Sequence, residues 1–353
     1  MLKCLGKGVN IIMKAAFIDK IDSIKFIETD APNIKNDNEV LIRVVITGIC
    51  GSEIHAFHGK HPYRVPPVIS GHELAGIIEE VGNKVINFKI GDRVTVEPHY
   101  GCGKCDDCLQ GDYNVCIDKK VLGTPYWQGS FGEYIVVPEQ TIVKLPDNVS
   151  FEQGALIEPI AVGVHAVRTV NTSLGDTVAI LGAGPIGLGI YLAAKCAGAT
   201  KIFITDASDF NLEIARKVGC KYTINPLKES TVDIILKETN GLGVDKVFLG
   251  VGVESVLNDA LRICKRKGAI SEVALFGTQP KIESHYLQNR EIKLQGSSMY
   301  TKKDFQISID AISEGIFDTT LFVSKVMPIE EVEQAMEIVD KKTENVIKVL
   351  LKF

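Results

Sequence analysis

From about residue 165 onward, short β-branched runs alternate with stretches of helical periodicity, the pattern of repeated strand–helix–strand units around a parallel sheet. Val178–Leu181 predicts a strand that runs into Gly182-Ala183-Gly184-Pro185-Ile186-Gly187 and then into a helix over Leu188–Ala197. Lys201–Thr205 predicts the next strand, ending at Asp206, and is followed by a helix through Leu212–Val218 and strands near Tyr222–Ile224, Lys246–Leu249 and Ala269–Phe276. Towards the end of the chain Pro328–Ala335 reads as the start of an amphipathic helix and Val346–Leu350 as a strand. One window is ambiguous: Thr177–Ala194 runs 18 residues without a charge, long enough for a membrane span. Gly182, Gly184, Pro185 and Gly187 interrupt its first half, so a strand–turn–helix unit is the better reading.

The 353 residues suit two domains, and 45% hydrophobic with 24% charged residues is the balance of a soluble globular protein. A net charge of −5, with no basic stripe, argues against nucleic acid or an anionic membrane as partner and directs attention to a small-molecule site. Lys3 and Lys7 are not followed by an apolar run of signal length, so the cytoplasm is the expected compartment. Met13-Lys14-Ala15-Ala16 reads like a start, which makes residues 1–12 an extension with no assigned chemistry.

The glycine motif gains weight from its context, because it closes a strand, opens a helix, and has an acid, Asp206, 19 residues after Gly187 at the next strand end. Gly182 makes the tight turn, Gly184 lets the backbone approach a pyrophosphate, and Gly187 lets the helix pack close, with its first amides, after Pro185 and Ile186, facing the phosphate. Asp206 is suited to bind ribose hydroxyls and, with Asp209, to repel a 2′-phosphate, and no Arg lies within five residues after it. NAD is therefore expected over NADP. The alternatives are a tight turn without a ligand and, for Asp206, a plain helix cap.

Cys102, Cys105, Cys108 and Cys116 form two C-x2-C steps and a longer gap, a spacing that wraps four thiolates around one tetrahedral zinc. Disulfides are the alternative, disfavoured in a reducing compartment. Such a closed site stabilises a lobe and does not catalyse. The remaining early cysteine, Cys50, stands in Gly-Ile-Cys-Gly-Ser-Glu-Ile-His, and Gly71-His72-Glu73 follows. Cys, His and a carboxylate can hold a catalytic zinc with one position open, although Cys50 and His72 taken singly also suit a core. Glu158 changes that balance, since its neighbours for four positions either way are apolar or glycine. A carboxylate buried there needs a metal, a cation or a proton.

Taken in order, Cys50-Gly51-Ser52-x-x-His55, Gly71-His72-Glu73, the four-cysteine lobe, Ile157-Glu158-Pro159 and the glycine fingerprint resemble the zinc-containing medium-chain dehydrogenases, in the branch of polyol, threonine and butanediol dehydrogenases. The resemblance covers the chain from Met13 to its end. It implies an α/β protein: a GroES-like, β-rich catalytic domain over residues 13–161, a Rossmann doubly wound parallel-sheet domain over 162–297, and a return to the catalytic domain over 298–353. It further implies a dimer or tetramer, NAD, and two zinc ions per chain. Cys50, His72 and Glu73 would hold the catalytic zinc, with Glu158 as an additional or exchangeable ligand. Ser52 would take the substrate proton and His55 pass it on, although a turn serine and a surface histidine explain the same residues.

The implied reaction is oxidation of a secondary alcohol, a polyol or vicinal diol. Ala56 after the relay histidine, and Met299 before Tyr300 where an Arg-Tyr pair is usual, depart from animal-type sorbitol dehydrogenases. Glu97-Pro98-His99 resembles threonine dehydrogenases and keeps threonine as the alternative substrate. A non-catalytic dinucleotide-binding zinc protein is the reading from another class. It is disfavoured because a protein without chemistry has no need of an open metal site.

Overall fold

A computed structural model describes residues 11–353; residues 1–10, most of the segment set apart above, lie outside the described residues. The chain divides into two compact units, one of residues up to Cys108, Cys116–Leu156 and Val323–Phe353, the other of Leu109–Val115 and Ile157–Phe322. No described helix is long and apolar enough to cross a membrane.

The first unit is β-rich. An antiparallel hairpin, Ile12–Lys20 with Ser23–Asp30, precedes a seven-stranded sheet. That sheet runs Val323–Pro328, Lys348–Lys352, Glu39–Gly48, Glu73–Val81, Arg93–Val96 and Ile142–Lys144, with Tyr134–Pro138 also paired to Glu39–Gly48. Alternation places Val40, Ile42 and Val44 in one core with Leu74, Ile78, Val94 and Val96. The register has a chemical consequence, because Gly48 pairs with Glu73 on one side and with Leu350 on the other. A Cβ at Gly48 would lie 2.0 Å from Glu73 Oε2, so only glycine fits where these strand ends meet.

Only the last of these strands was expected, and it is displaced to Lys348–Lys352. The expected start of the C-terminal helix is also displaced: Pro328 closes the strand Val323–Pro328, a 3₁₀ turn spans Ile329–Glu331, and the α-helix is Val332–Lys341.

The second unit has six parallel strands in the order Tyr222–Ile224, Lys201–Thr205, Thr177–Leu181, Val244–Leu249, Cys264–Glu272 and Lys293–Gly296. This is the doubly wound order that creates a crevice beside the first strand. Ala179, Leu181, Phe203, Val247, Leu249 and Ile270 fill its core. The helix after the glycine motif begins at Pro185, whose missing N–H is tolerated in the first turn, rather than at Leu188. The next helix is Asp209–Lys217, capped by Ser208, whose Oγ accepts from Asn211 N at 3.3 Å. The strand expected at Ala269–Phe276 is Cys264–Glu272, since the amides of Val273 and Ala274 both turn to the Leu249 carbonyl. The helix Phe151–Thr169, which carries Glu158, was not read from the sequence.

Candidate active site and metal centres

In the cysteine lobe the four Sγ atoms lie within 4.8 Å of one another. Cys102 and Cys108 are 4.0 Å apart and Cys105 and Cys116 3.7 Å, and all four are free thiols. A tetrahedron with Zn–S bonds of about 2.3 Å has edges of about 3.8 Å, whereas a disulfide needs about 2 Å. The four thiols therefore fit a zinc ion and not a bridge. Cys102 N also donates to Cys116 Sγ at 3.4 Å.

A second constellation forms where the strand Glu39–Gly48 ends. Cys50 caps the helix Gly51–Phe57, and Glu53 in its first turn accepts from Cys50 N at 3.1 Å. The other oxygen of Glu53 accepts from His72 Nδ1 at 2.9 Å and from Ser70 Oγ at 3.1 Å. Glu53 is fully buried, which alone would raise its carboxyl, but the adjacent His72 and then Arg64 outweigh burial and hold it at about 2. Burial likewise disfavours a charged His72, and the Glu53 carboxylate overrides it, drawing a proton onto the ring. A cation at Nε2 takes that proton's place, leaving a neutral imidazole that donates Nδ1–H to Glu53. Ligand atoms of Cys50, Glu53 and His72 lie within 4.8 Å of one another, so sulfur, nitrogen and an orienting carboxylate fit a zinc site.

The two expected carboxylate ligands have other partners too. Glu73 is fully buried and held by Lys348, whose Nζ donates to both of its oxygens at 2.7 Å and to Ile49 O at 3.1 Å. Glu158 is buried on the helix Phe151–Thr169, and Tyr300 Oη donates to its Oε1 at 3.0 Å.

Ser52 and His55 stand three residues apart on the helix Gly51–Phe57 and so share a face. Ser52 receives a long contact from Arg64 Nη1 at 3.4 Å, and His55 is exposed. Arg64 is itself buried and donates to Leu122 O at 3.2 Å. Next to it, burial and the Arg64 charge push His61 down to about 4. His99 is fully buried with Nε2 at 3.7 Å from Glu97.

At the dinucleotide motif, Gly182 has φ +118°, and a Cβ on Gly187 would lie 1.9 Å from the Gly182 carbonyl oxygen. A Cβ on Gly184 would meet nothing within 4 Å, so the backbone there is open to a ligand. Asp206 is not a helix cap: it accepts from Ala183 N and Ser208 N, each at 2.8 Å, and thereby ties the glycine turn to the next loop. Asp209 is paired with Lys228 at 2.6 Å, which offsets the repulsion expected from it.

The sequence reading missed Glu53, Lys348 and Lys228, and named Tyr300 only for the Met299 that precedes it, without the bond to Glu158. A signal existed for Lys348, a lone charge inside Val346–Leu350, the same kind of conflict that exposed Glu158. Lys228 lies on a separate element, and nothing local announces it.

The chain matches the alcohol dehydrogenase GroES-like domain over residues 36–147 and the zinc-binding dehydrogenase family over residues 185–314. Sorbitol dehydrogenase of Bacillus subtilis (strain 168) is 38% identical over 330 residues, covering 92% of this chain and 93% of the relative. D-arabitol-phosphate dehydrogenase of Enterococcus avium is 36% identical over 335 residues, covering 94% of each. Among solved structures, 2R,3R-butanediol dehydrogenase from Bacillus subtilis aligns with a TM-score of 0.88 at 32% identity, covering 97% of this chain and 99% of that one. An alcohol dehydrogenase from Escherichia coli CFT073 in complex with NADH has a TM-score of 0.90 at 28% identity, over 97% and 99% of the two chains. A zinc-binding dehydrogenase from Sinorhizobium meliloti 1021 bound to NADP has the same score and identity, over 97% and 100%.

Proposed function

Because the chain belongs to the zinc-dependent medium-chain dehydrogenases, in their polyol branch, we propose that it oxidises a secondary hydroxyl of a polyol or vicinal diol to a ketone, with hydride transfer to a nicotinamide dinucleotide. The observation that carries the reading is the half-buried Cys50 beside the buried His72, with Glu53 behind the histidine. When bound, zinc supplies Lewis acidity at an alcohol oxygen and the dinucleotide supplies the hydride acceptor. Cys50 and His72 hold one zinc with carboxylate help from Glu73 and Glu158; Cys102, Cys105, Cys108 and Cys116 hold another. Lys348 donates to both oxygens of Glu73 and Tyr300 to one oxygen of Glu158, so each carboxylate has a partner within its own unit.

Ser52 receives the hydroxyl proton, and His55, exposed on the same helix face, releases it to solvent. Gly182, Gly184, Pro185, Ile186 and Gly187 seat the pyrophosphate. Asp206 binds the ribose and carries the preference for NAD, because Lys228 neutralises Asp209. The enzyme works as a cytoplasmic homo-oligomer, a dimer or tetramer, which light scattering and cell fractionation check.

The test is formation of reduced nicotinamide from NAD with sorbitol, xylitol, 2,3-butanediol and L-threonine, with zinc content measured on the same sample. Turnover of a polyol or diol that chelator abolishes, with two zinc ions per chain, is the expected result. Turnover of threonine alone overturns the substrate class. One zinc and no turnover overturns the enzyme reading in favour of a binding role. The burial of His99 against Glu97 gives the threonine alternative no support.

A further inference from the structure

Two parallel strands of the second unit end side by side, and the loops that leave them hold a movable cation. Thr205 pairs with Ile224 and Asp206 N donates to Ile224 O at 3.2 Å, so the loop after Lys201–Thr205 runs beside the loop after Tyr222–Ile224. A ligand of such a sheet lies outside these carboxyl ends of the strands. Asn225 is buried and ties the loops together: its Nδ2 donates to Ala207 O at 3.2 Å and to Asp209 Oδ1 at 2.9 Å. Its carbonyl accepts from Lys228 N at 2.9 Å, which fixes the base of that lysine. The side chain of Lys228 is 61% exposed and reaches across to that of Asp209, 63% exposed, at 2.6 Å. An ion pair so open to water is worth little, so its cation exchanges partners easily. The other charges of this rim are committed differently. Asp206 accepts from the Ala183 and Ser208 amides and from Asn211 Nδ2 at 3.3 Å. Arg216, whose charge also bears on Asp209, donates to Thr223 Oγ1 at 2.8 Å.

We propose that Lys228 is a specificity-determining residue for the dinucleotide: its ammonium is the cation that a ribose 2′-phosphate would take, and Asp209 withholds it. Asp206 favours the unphosphorylated ribose, and the Asp209–Lys228 pair sets how strongly the phosphorylated one is refused. A phosphate carries more charge than a carboxylate and suits an ammonium on a flexible stem. To bind, it must draw Lys228 from Asp209, and it then faces the bared Asp209 carboxylate as well as Asp206. Removing the Asp209 charge therefore helps twice, by releasing the lysine and by removing a repulsion. Removing Lys228 leaves two acids without the countercharge that this loop supplies. The inference rests on the reading of the glycine turn and Asp206 as the seat of a dinucleotide.

Calorimetric titration of the whole protein with ADP-ribose and with its 2′-phosphorylated form tests both, since these ligands lack the reacting ring and report binding alone. The readout is the ratio of the two dissociation constants in wild type, Asp209→Asn, Lys228→Met and the double variant. Asp209→Asn is expected to shift the ratio toward the phosphorylated ligand by about 3–10-fold, and Lys228→Met to shift it the other way by a similar factor, the scale of one exposed charge pair. In the Lys228→Met background the Asp209 substitution is expected to have a smaller effect. An unchanged ratio in Lys228→Met overturns the proposal. An equal effect of Asp209→Asn with and without Lys228 shows plain repulsion by Asp209 and overturns it too. If ADP-ribose itself fails to bind the wild type, the dinucleotide reading fails and takes the proposal with it.

Discussion

Two buried carboxylates near the end of the strand Glu39–Gly48 do opposite jobs, and substitution separates them. Glu53 holds His72 by Nδ1, so Glu53→Gln is expected to weaken zinc retention at the Cys50–His72 site by about 10–100-fold. Zinc per chain after dialysis reads this directly, with the four-thiolate zinc as internal reference. Glu73, by contrast, is neutralised by Lys348. Lys348→Met strands a buried charge, for which a loss of about 3–5 kcal/mol is the usual scale. Urea unfolding of the metal-free protein measures it, and excess zinc is expected to restore part of the loss by giving Glu73 another cation. Equal loss with and without zinc would show that Glu73 does not reach the metal. None of this was legible residue by residue. Glu53 follows Gly51 and Ser52 in a polar stretch that reads as a solvated turn, and only its contacts with Ser70 and His72 reveal a buried acid.

Among elements, the helix Pro185–Cys196 offers a test in which space alone differs. Gly187→Ala would place a methyl on the Gly182 carbonyl and is expected to destabilise the second unit, in the range of about 1–3 kcal/mol for overpacking. Gly184→Ala meets no protein atom, so Tm is expected to hold while the Kd for NAD rises about tenfold or more. Unchanged NAD affinity would place the pyrophosphate elsewhere. A different element pair responds to pH: His58, at the end of the helix Gly51–Phe57, bridges Asp22 at 2.5 Å and Asp340 on the helix Val332–Lys341 at 2.9 Å. Asp340 and Asp22 raise its pKa, so its contribution is full below the ordinary histidine value and is lost as pH rises through the elevated one. His58→Gln is expected to flatten the fall in Tm across that window.

Legibility divided along the same lines. The parallel strands are buried on both faces and announce themselves as apolar runs, and the glycine turn fixes their starting point. The antiparallel sheet of the first unit is built from strands such as Glu39–Gly48 and Glu73–Val81, whose inner residues are interrupted by Arg43, Glu79 and Glu80, and it gave no equally sharp signal. The helix Phe151–Thr169 was visible only as an apolar surround for Glu158; Gly154 and Pro159 hid its periodicity.

For the molecule as a whole, the two proposed metal centres differ in ligand softness and closure. A mild chelator is expected to strip the Cys50–His72 site first, abolishing turnover while about one zinc per chain remains, because a closed four-thiolate site releases its ion more reluctantly. Simultaneous loss of both ions would argue against two independent centres.

The ion pair between Glu73 and Lys348 joins distant parts of the chain. Its members are 275 residues apart, and the intervening chain includes the entire parallel-sheet unit. During synthesis Glu73 leaves the ribosome long before its countercharge exists, and the pairing closes only when the strand Lys348–Lys352 docks beside Glu39–Gly48. A nascent chain halted short of that strand would hold Glu73 without the cation that Lys348 supplies.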